Sequence, residues 1–228
     1  GWFATRCSLF VAVVVVNAFT LLDGIDTLAG GYGLLIAIAC TLWFQVTGQS
    51  DYAILCLALA GSLTAFLIFN ITPARIFLGD CGSLILGMFI YVMATSIMQT
   101  PAEQVPQMWG HRSLPVLAMT TLSYPLVDTL RIFSLRVMQG KSPFTADRNH
   151  LHHRLLKLGM SHLQAALFIH GYTAIMISLG FSLPQMEPTA AFFVLLGCAF
   201  TLPLIIIGLE KLQVFARALR RKENAKTL

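Results

Sequence analysis

The sequence predicts an all-α, polytopic integral membrane bundle of about seven transmembrane helices, N-terminus outside and C-terminus cytoplasmic. Three observations predict it. Of 228 residues, 57% are hydrophobic and 11% charged, whereas a soluble domain carries about 25% charged residues. Apolar runs of span length recur from one end of the chain to the other, and the mean hydropathy is +0.76. Finally, thirteen of the fifteen Lys and Arg residues fall on alternate connections between those runs.

A span needs about 20 mostly apolar residues. The first run, about Trp2–Leu22, starts almost at Gly1. No separate basic region or cleavage site precedes it, so it reads as a span and not a signal peptide. A start without Met reads as a piece of something longer. Ala29–Val46, Tyr52–Asn70 and Ser83–Met98 follow. The fifth run, Leu114–Leu130, is interrupted by Pro115 and Pro125 and carries Asp128 near its end. Leu163–Leu183 and Ala190–Leu209 complete the set, giving one membrane domain over residues 1–209. Residues 210–228 form a basic tail with Leu212, Phe215 and Leu219 at helical spacing, suited to an anionic cytoplasmic leaflet.

Charge sets the orientation. Connections 23–28, 71–82, 131–162 and 210–228 hold Arg75, Arg131, Arg136, Lys141, Arg148, Arg154, Lys157, Lys211, Arg217, Arg220, Arg221, Lys222 and Lys226. Only Arg6 and Arg112 lie opposite. The positive-inside rule makes the first group cytoplasmic. The sequence pI of about 9.1 then follows from topology and calls for no nucleic-acid partner. Cys7, Cys40, Cys56, Cys81 and Cys198 are scattered without CxxC spacing, so neither a disulfide framework nor a zinc site is indicated.

The same parity gathers three polar motifs on the cytoplasmic side. Asn17–Gly31, NAFTLLDGIDTLAGG, places Asp23 and Asp26 three residues apart, on one face if helical. An ordinary polar loop with Asp26 capping the next helix is the competing reading. Carboxylates at a span's mouth are candidates for function because charge inside a bilayer costs about 2.5–3.5 kcal/mol on insertion scales. In Asn70–Ser83, NITPARIFLGDCGS, Gly79 and Gly82 flank Asp80 just before an apolar run. Backbone N–H groups there suit phosphate while Asp80 holds a hard cation, or Asp80 is a helix cap. In Lys141–Arg154, KSPFTADRNHLHHR, three histidines lie within four residues among cations, which suits an anionic phosphate-bearing ligand better than a transition metal; a solvated basic loop is the bland alternative. His111, His162 and His170 are isolated and read as structural; Asp128 either ends a helix or supports the cytoplasmic site from behind.

These three motifs, in this order, resemble the polyprenyl-phosphate N-acetylhexosamine-1-phosphate transferase family over roughly residues 17–165. The H-x-H-H pattern is similar to its WecA-like and TagO-like branch more than to the related phospho-MurNAc-pentapeptide translocase. The resemblance implies transfer of N-acetylhexosamine 1-phosphate, GlcNAc-1-phosphate first among candidates, from a UDP-sugar to undecaprenyl or another polyprenyl phosphate. UMP would be released, and the product would initiate cell-envelope polysaccharide synthesis. It implies Mg²⁺ (or Mn²⁺) as cofactor and UDP-N-acetylhexosamine, polyprenyl phosphate and membrane lipids as partners. A homodimer and a multi-pass location in the bacterial plasma (inner) membrane are compatible with it.

By the same resemblance, Asp80 matches the Mg²⁺-binding carboxylate, and Asp23 and Asp26 match the acidic pair of the catalytic region. Asn70 and Phe77 match the uracil end, and Asn17 accompanies the nucleotide region. His150, His152 and His153, with Arg148, match the diphosphate side. Two departures bear on nucleotide contacts: Thr20 stands where the family usually has Asn, and Thr27 where D-G-x-D-G has Gly. The family's earlier Asp-Asp pair is absent from this sequence and is expected upstream of Gly1, with about four further helices. A lipid-phosphate or nucleotide transporter is the rival from another class, although transporters place ionisable groups near the midplane. A noncatalytic UDP-sugar-binding protein is the third reading.

Overall fold

The computed structural model describes residues 1–107, 114–142, 149–183 and 186–224, with side chains through residue 217. Its helices are α1 (Trp2–Leu22), α2 (Leu28–Val46), α3 (Ser50–Asn70), α4 (Gly79–Met98), α5 (Leu114–Thr120), α6 (Ser123–Met138), α7 (Leu151–Lys157), α8 (His162–Ser182) and α9 (Pro188–Asn224). Among the described residues, six are long and apolar enough to cross a bilayer: α1, α2, α3, α4, α8 and α9. A helix of 21 residues such as α1 rises about 31 Å, matching a hydrocarbon core of about 30 Å.

α2 is the central post. It forms a hairpin with α3, and its other sides meet α4 and α8, while α1 packs on α4 and α6. Leu28, Tyr32, Ile36, Trp43 and Phe44 of α2 are fully buried. The Phe19 ring meets Tyr32 edge-on at 5.6 Å, and Tyr124 lies 6.2 Å beyond. At the far end, Thr100 receives hydrogen bonds from Trp43 Nε1 (3.3 Å) and Gln49 Nε2 (3.1 Å), which closes the α2–α3 hairpin onto the end of α4.

The fifth span differs from expectation. It is not one helix but two, α5 and α6, broken at Thr121–Leu122. Pro125 lacks the N–H that would close the turn onto the Thr121 carbonyl. Tyr32 Oη donates to that carbonyl instead, at 2.8 Å, so the bundle satisfies the acceptor that proline leaves. Thr120, Thr121 and Ser123 each turn a hydroxyl back onto a carbonyl three residues earlier, a pattern that bends helices. α6 then continues past Leu130 to Met138. Helix α4 begins at Gly79, four residues before the expected Ser83, so Asp80 sits in its first turn.

α9 passes residue 210 without a break and is described to Asn224, so the predicted tail prolongs the last span as a helix. Arg154 of α7 pairs with Glu210 of α9, Nε donating at 2.8 Å and Nη2 making the second bond. Gln213 Nε2 donates to the Leu158 carbonyl at 3.3 Å.

Candidate active site

The five residues between α1 and α2 are the hub on which the three motifs converge. Asp23, half-buried at the end of α1, receives a hydrogen bond from the Gly79 N–H and faces Asp80. Gly79 has φ +67°, a conformation glycine adopts without penalty, and it turns the chain into α4 so that its own N–H and Asp80 meet Asp23. Burial first, then the Asp80 charge, raise the Asp23 carboxyl to about 6, against the lowering effect of the Gly79 bond. Asp80 itself is exposed.

Gly24 touches the histidine segment. A Cβ placed there would lie 2.4 Å from His152 Nε2, so only glycine lets the ring seat on the loop. Asp26, also half-buried, has Oδ2 3.4 Å from Nδ1 of His162, the first residue of α8. Thr27 adopts φ +72°, costly for a β-branched residue and suited to the glycine it replaces in the resembled motif. Asn70 holds it there: its Oδ1 accepts from the Thr27 N–H at 2.8 Å, and its carbonyl accepts from Thr27 Oγ1 at 3.3 Å. Asn70 Nδ2 donates to the Ile76 carbonyl at 2.8 Å. One buried amide therefore ties the hub to the loop leading into Asp80. Next along the chain, His170 Nε2 lies 3.1 Å from the Leu28 carbonyl.

The three histidines hold different positions. His150 and His152 are buried, 4% and 1% exposed, while His153 is half-buried. His150 Nδ1 is 3.0 Å from Asp128 Oδ2. Its ring stacks on His152 with centroids 5.7 Å apart, and His152 meets His153 at 4.3 Å. Neither nitrogen of His152 has a hydrogen-bond partner. Burial above all, reinforced by His153, lowers its pKa to about 3, so this ring is neutral at physiological pH. The three rings form a packed stack.

Of the remaining expected residues, Phe77 is 74% exposed. Asn17 is exposed, its Nδ2 bonded to the Val13 carbonyl of its own helix at 2.8 Å. Thr20 likewise donates back to Val16. Arg148 lies outside the described residues. His162, expected to be structural, joins the hub. The signal that could have found it is the Ser161–Gln164 capping box, which marks the start of a helix at this point.

Among the described residues no group of three or more His, Cys, Asp or Glu could hold a metal. Two neighbouring carboxylates at a mouth suit a hard divalent cation that keeps waters and phosphate oxygens as its other ligands.

Comparison with known proteins places the chain among relatives. Residues 1–98 match the model of glycosyl transferase family 4. An undecaprenyl-phosphate α-N-acetylglucosaminyl 1-phosphate transferase of Escherichia coli is 32% identical over 186 residues, covering 79% of this chain and 47% of the relative. A decaprenyl-phosphate N-acetylglucosaminephosphotransferase of Mycobacterium leprae is 32% identical over 233 residues (95% and 55%), and one of Mycobacterium tuberculosis is 34% identical over 184 residues (74% and 44%). The chain spans about half the length of these curated relatives. With its three motifs joined on one loop and its likeness running through them, the chain belongs to the polyprenyl-phosphate N-acetylhexosamine-1-phosphate transferase family.

Proposed function

We propose that the intact protein transfers N-acetylhexosamine 1-phosphate, GlcNAc-1-phosphate in the first instance, from a UDP-sugar to a polyprenyl phosphate. The reaction takes place at the cytoplasmic face of the bacterial inner membrane and supplies cell-envelope polysaccharide synthesis. The observation that carries this reading is the meeting of Asp23 and Asp80 on a hub loop that the histidine segment also touches. The names of the relatives support the polyprenyl phosphate acceptor and the N-acetylglucosamine 1-phosphate group.

An oxygen of the lipid phosphate attacks the sugar-linked phosphorus of the donor. The new bond is a phosphoanhydride to the lipid; the bond broken is the anhydride to UMP, which leaves with that electron pair. Little covalent work falls to the protein, and catalysis rests on positioning and on offsetting charge where two polyanions meet. Asp23 and Asp80 would hold Mg²⁺ or Mn²⁺; the Asp23 carboxyl, raised to about 6 chiefly by burial and further by the Asp80 charge, would be returned to its ionised form by such a cation. Such an ion would supply positive charge to offset that of the diphosphate. In this reading His153 serves the diphosphate, the role the resemblance also gives to Arg148, the exposed Phe77 ring stacks on uracil, and Asn70 acts by holding the two loops together.

Asp80→Asn in the intact protein is expected to lower divalent-cation-dependent UMP release at least about 10²-fold, the scale of losing a major electrostatic group at a reacting phosphate. Full activity in that variant removes Asp80 from the role.

A further inference from the structure

Asp128 lies outside the hub on α6, and the reaction above makes no use of it. It is nevertheless 4% exposed, and an ionised carboxylate is buried only at high cost unless it is fully paired. Its partners all lead in one direction. Oδ1 accepts from Arg131 Nε (3.2 Å) and Nη2 (2.7 Å), and Oδ2 lies 3.0 Å from His150 Nδ1. The Leu151 N–H is shared between both oxygens at 3.2 Å. Arg131 Nη2 also donates to the Asn149 carbonyl at 2.6 Å. Three successive residues, 149 to 151, are thus tied to one turn of α6 immediately before His152 and His153.

The consequence reaches the hub through packing. The carboxylate can only accept, so the His150 Nδ1 facing it carries a proton. The His150 ring is then fixed as the platform on which His152 stacks, and His152 in turn rests on Gly24. A chain of contacts runs from Asp128 through His150 and His152 to the loop bearing Asp23 and Asp26. At the other end of α7, the Arg154–Glu210 pair holds the helix against α9. The segment is pinned at both ends, and the Asp128 end is the one that orients a ring of the stack.

We infer that Asp128 is a positioning residue for the sugar-phosphate transfer: it touches no substrate and acts through His150 to seat His152 and His153 against the hub. This rests on the function proposed above. The test uses the intact protein reconstituted in lipid, with UMP release measured at varied UDP-sugar. Asp128→Asn keeps the shape and one acceptor for Arg131 and Leu151 but can turn an NH₂ group toward His150. It is expected to lower kcat about tenfold while KM for the UDP-sugar moves less than about threefold, because misplacing a group by a fraction of an ångström costs rate before it costs binding. In a His150→Ala background the same substitution is expected to change kcat less than twofold, since coupled residues are not additive. Unchanged kcat in Asp128→Asn, or an equal loss in both backgrounds, overturns the inference. Hydrogen exchange of the 149–157 amides in Asp128→Ala separates this from failure of the transfer reading. If the unsubstituted protein is inactive but exchange quickens in the variant, the transfer reading fails and the tether stands. If exchange is unchanged, the tether itself fails.

Discussion

Gly24→Ala places a methyl group where the structure has no room for one. The added Cβ would sit 2.4 Å from His152 Nε2, 3.2 Å from Cε1 and 3.3 Å from Cδ2, so the ring must retreat about 1 Å to reach ordinary contact. It has nowhere to go alone. His152 is 1% exposed, stacked on His150 and against His153, and His150 is held by Asp128. The retreat therefore carries the start of α7 with it. Overpacking of this kind costs about 1–3 kcal/mol, and a shift of about 1 Å in a positioning segment costs about 10²-fold in rate. Thermal unfolding of the intact protein in detergent reads the first quantity, and UMP release from a UDP-sugar in lipid reads the second. The double variant Gly24→Ala/His152→Ala removes the ring from the methyl's path, so the two substitutions should couple by about 1–2 kcal/mol in stability. Wild-type stability and rate in Gly24→Ala, or strict additivity in the double variant, would refute the contact.

Two further substitutions probe the hub from other sides. Asn70→Ala leaves the Thr27 N–H and the Ile76 carbonyl without their partners; at about 1–3 kcal/mol for each buried group left unpaired, the unfolding midpoint should drop clearly. UDP-sugar turnover should fall with it. Asp23 is raised from its ordinary 3.8 to about 6, so the fold favours its neutral form: the stability this contributes is full below about 3.8 and is lost as pH rises through about 6. In chelator, the wild-type protein should melt higher at pH 5 than at pH 7.5 by a margin that Asp23→Asn abolishes. Added Mg²⁺ should restore the difference at pH 7.5, as a ligand of the folded state does.

Much of this architecture was legible in the sequence because the bilayer imposes simple rules. Apolar run length located α1, α2, α3, α4, α8 and α9, and loop parity brought Asp23, Asp80 and the histidine segment to one mouth before any contact was known. The rest depends on partners far away in the chain. Pro125 announced trouble in the fifth span, but the break between α5 and α6 is stabilised by Tyr32, 89 residues upstream of the Thr121 carbonyl. The resemblance places Asn70 at the uracil end, but its ties to Thr27 and Ile76 are visible only in the fold. His150, His152 and His153 look equivalent in a string, whereas burial separates them into a tethered ring, a neutral ring and a half-exposed one. The Ser161–Gln164 capping box marks only a helix start beside His162, and it is the packing of α8 beside α2 that brings the ring to Asp26.

The hub loop also fixes when the site can exist. Its five residues precede the partners that hold them: Asn70 comes 43 residues after Thr27, and His170, at the adjoining Leu28 carbonyl, 142 residues after it. Contacts this distant form late, after the intervening helices have inserted and packed. A nascent chain synthesised only as far as α4 owns both acidic motifs but not the histidine stack that packs against them. Packing of α7 and α8 onto the loop between α1 and α2 is thus the event that brings these separate polar segments together.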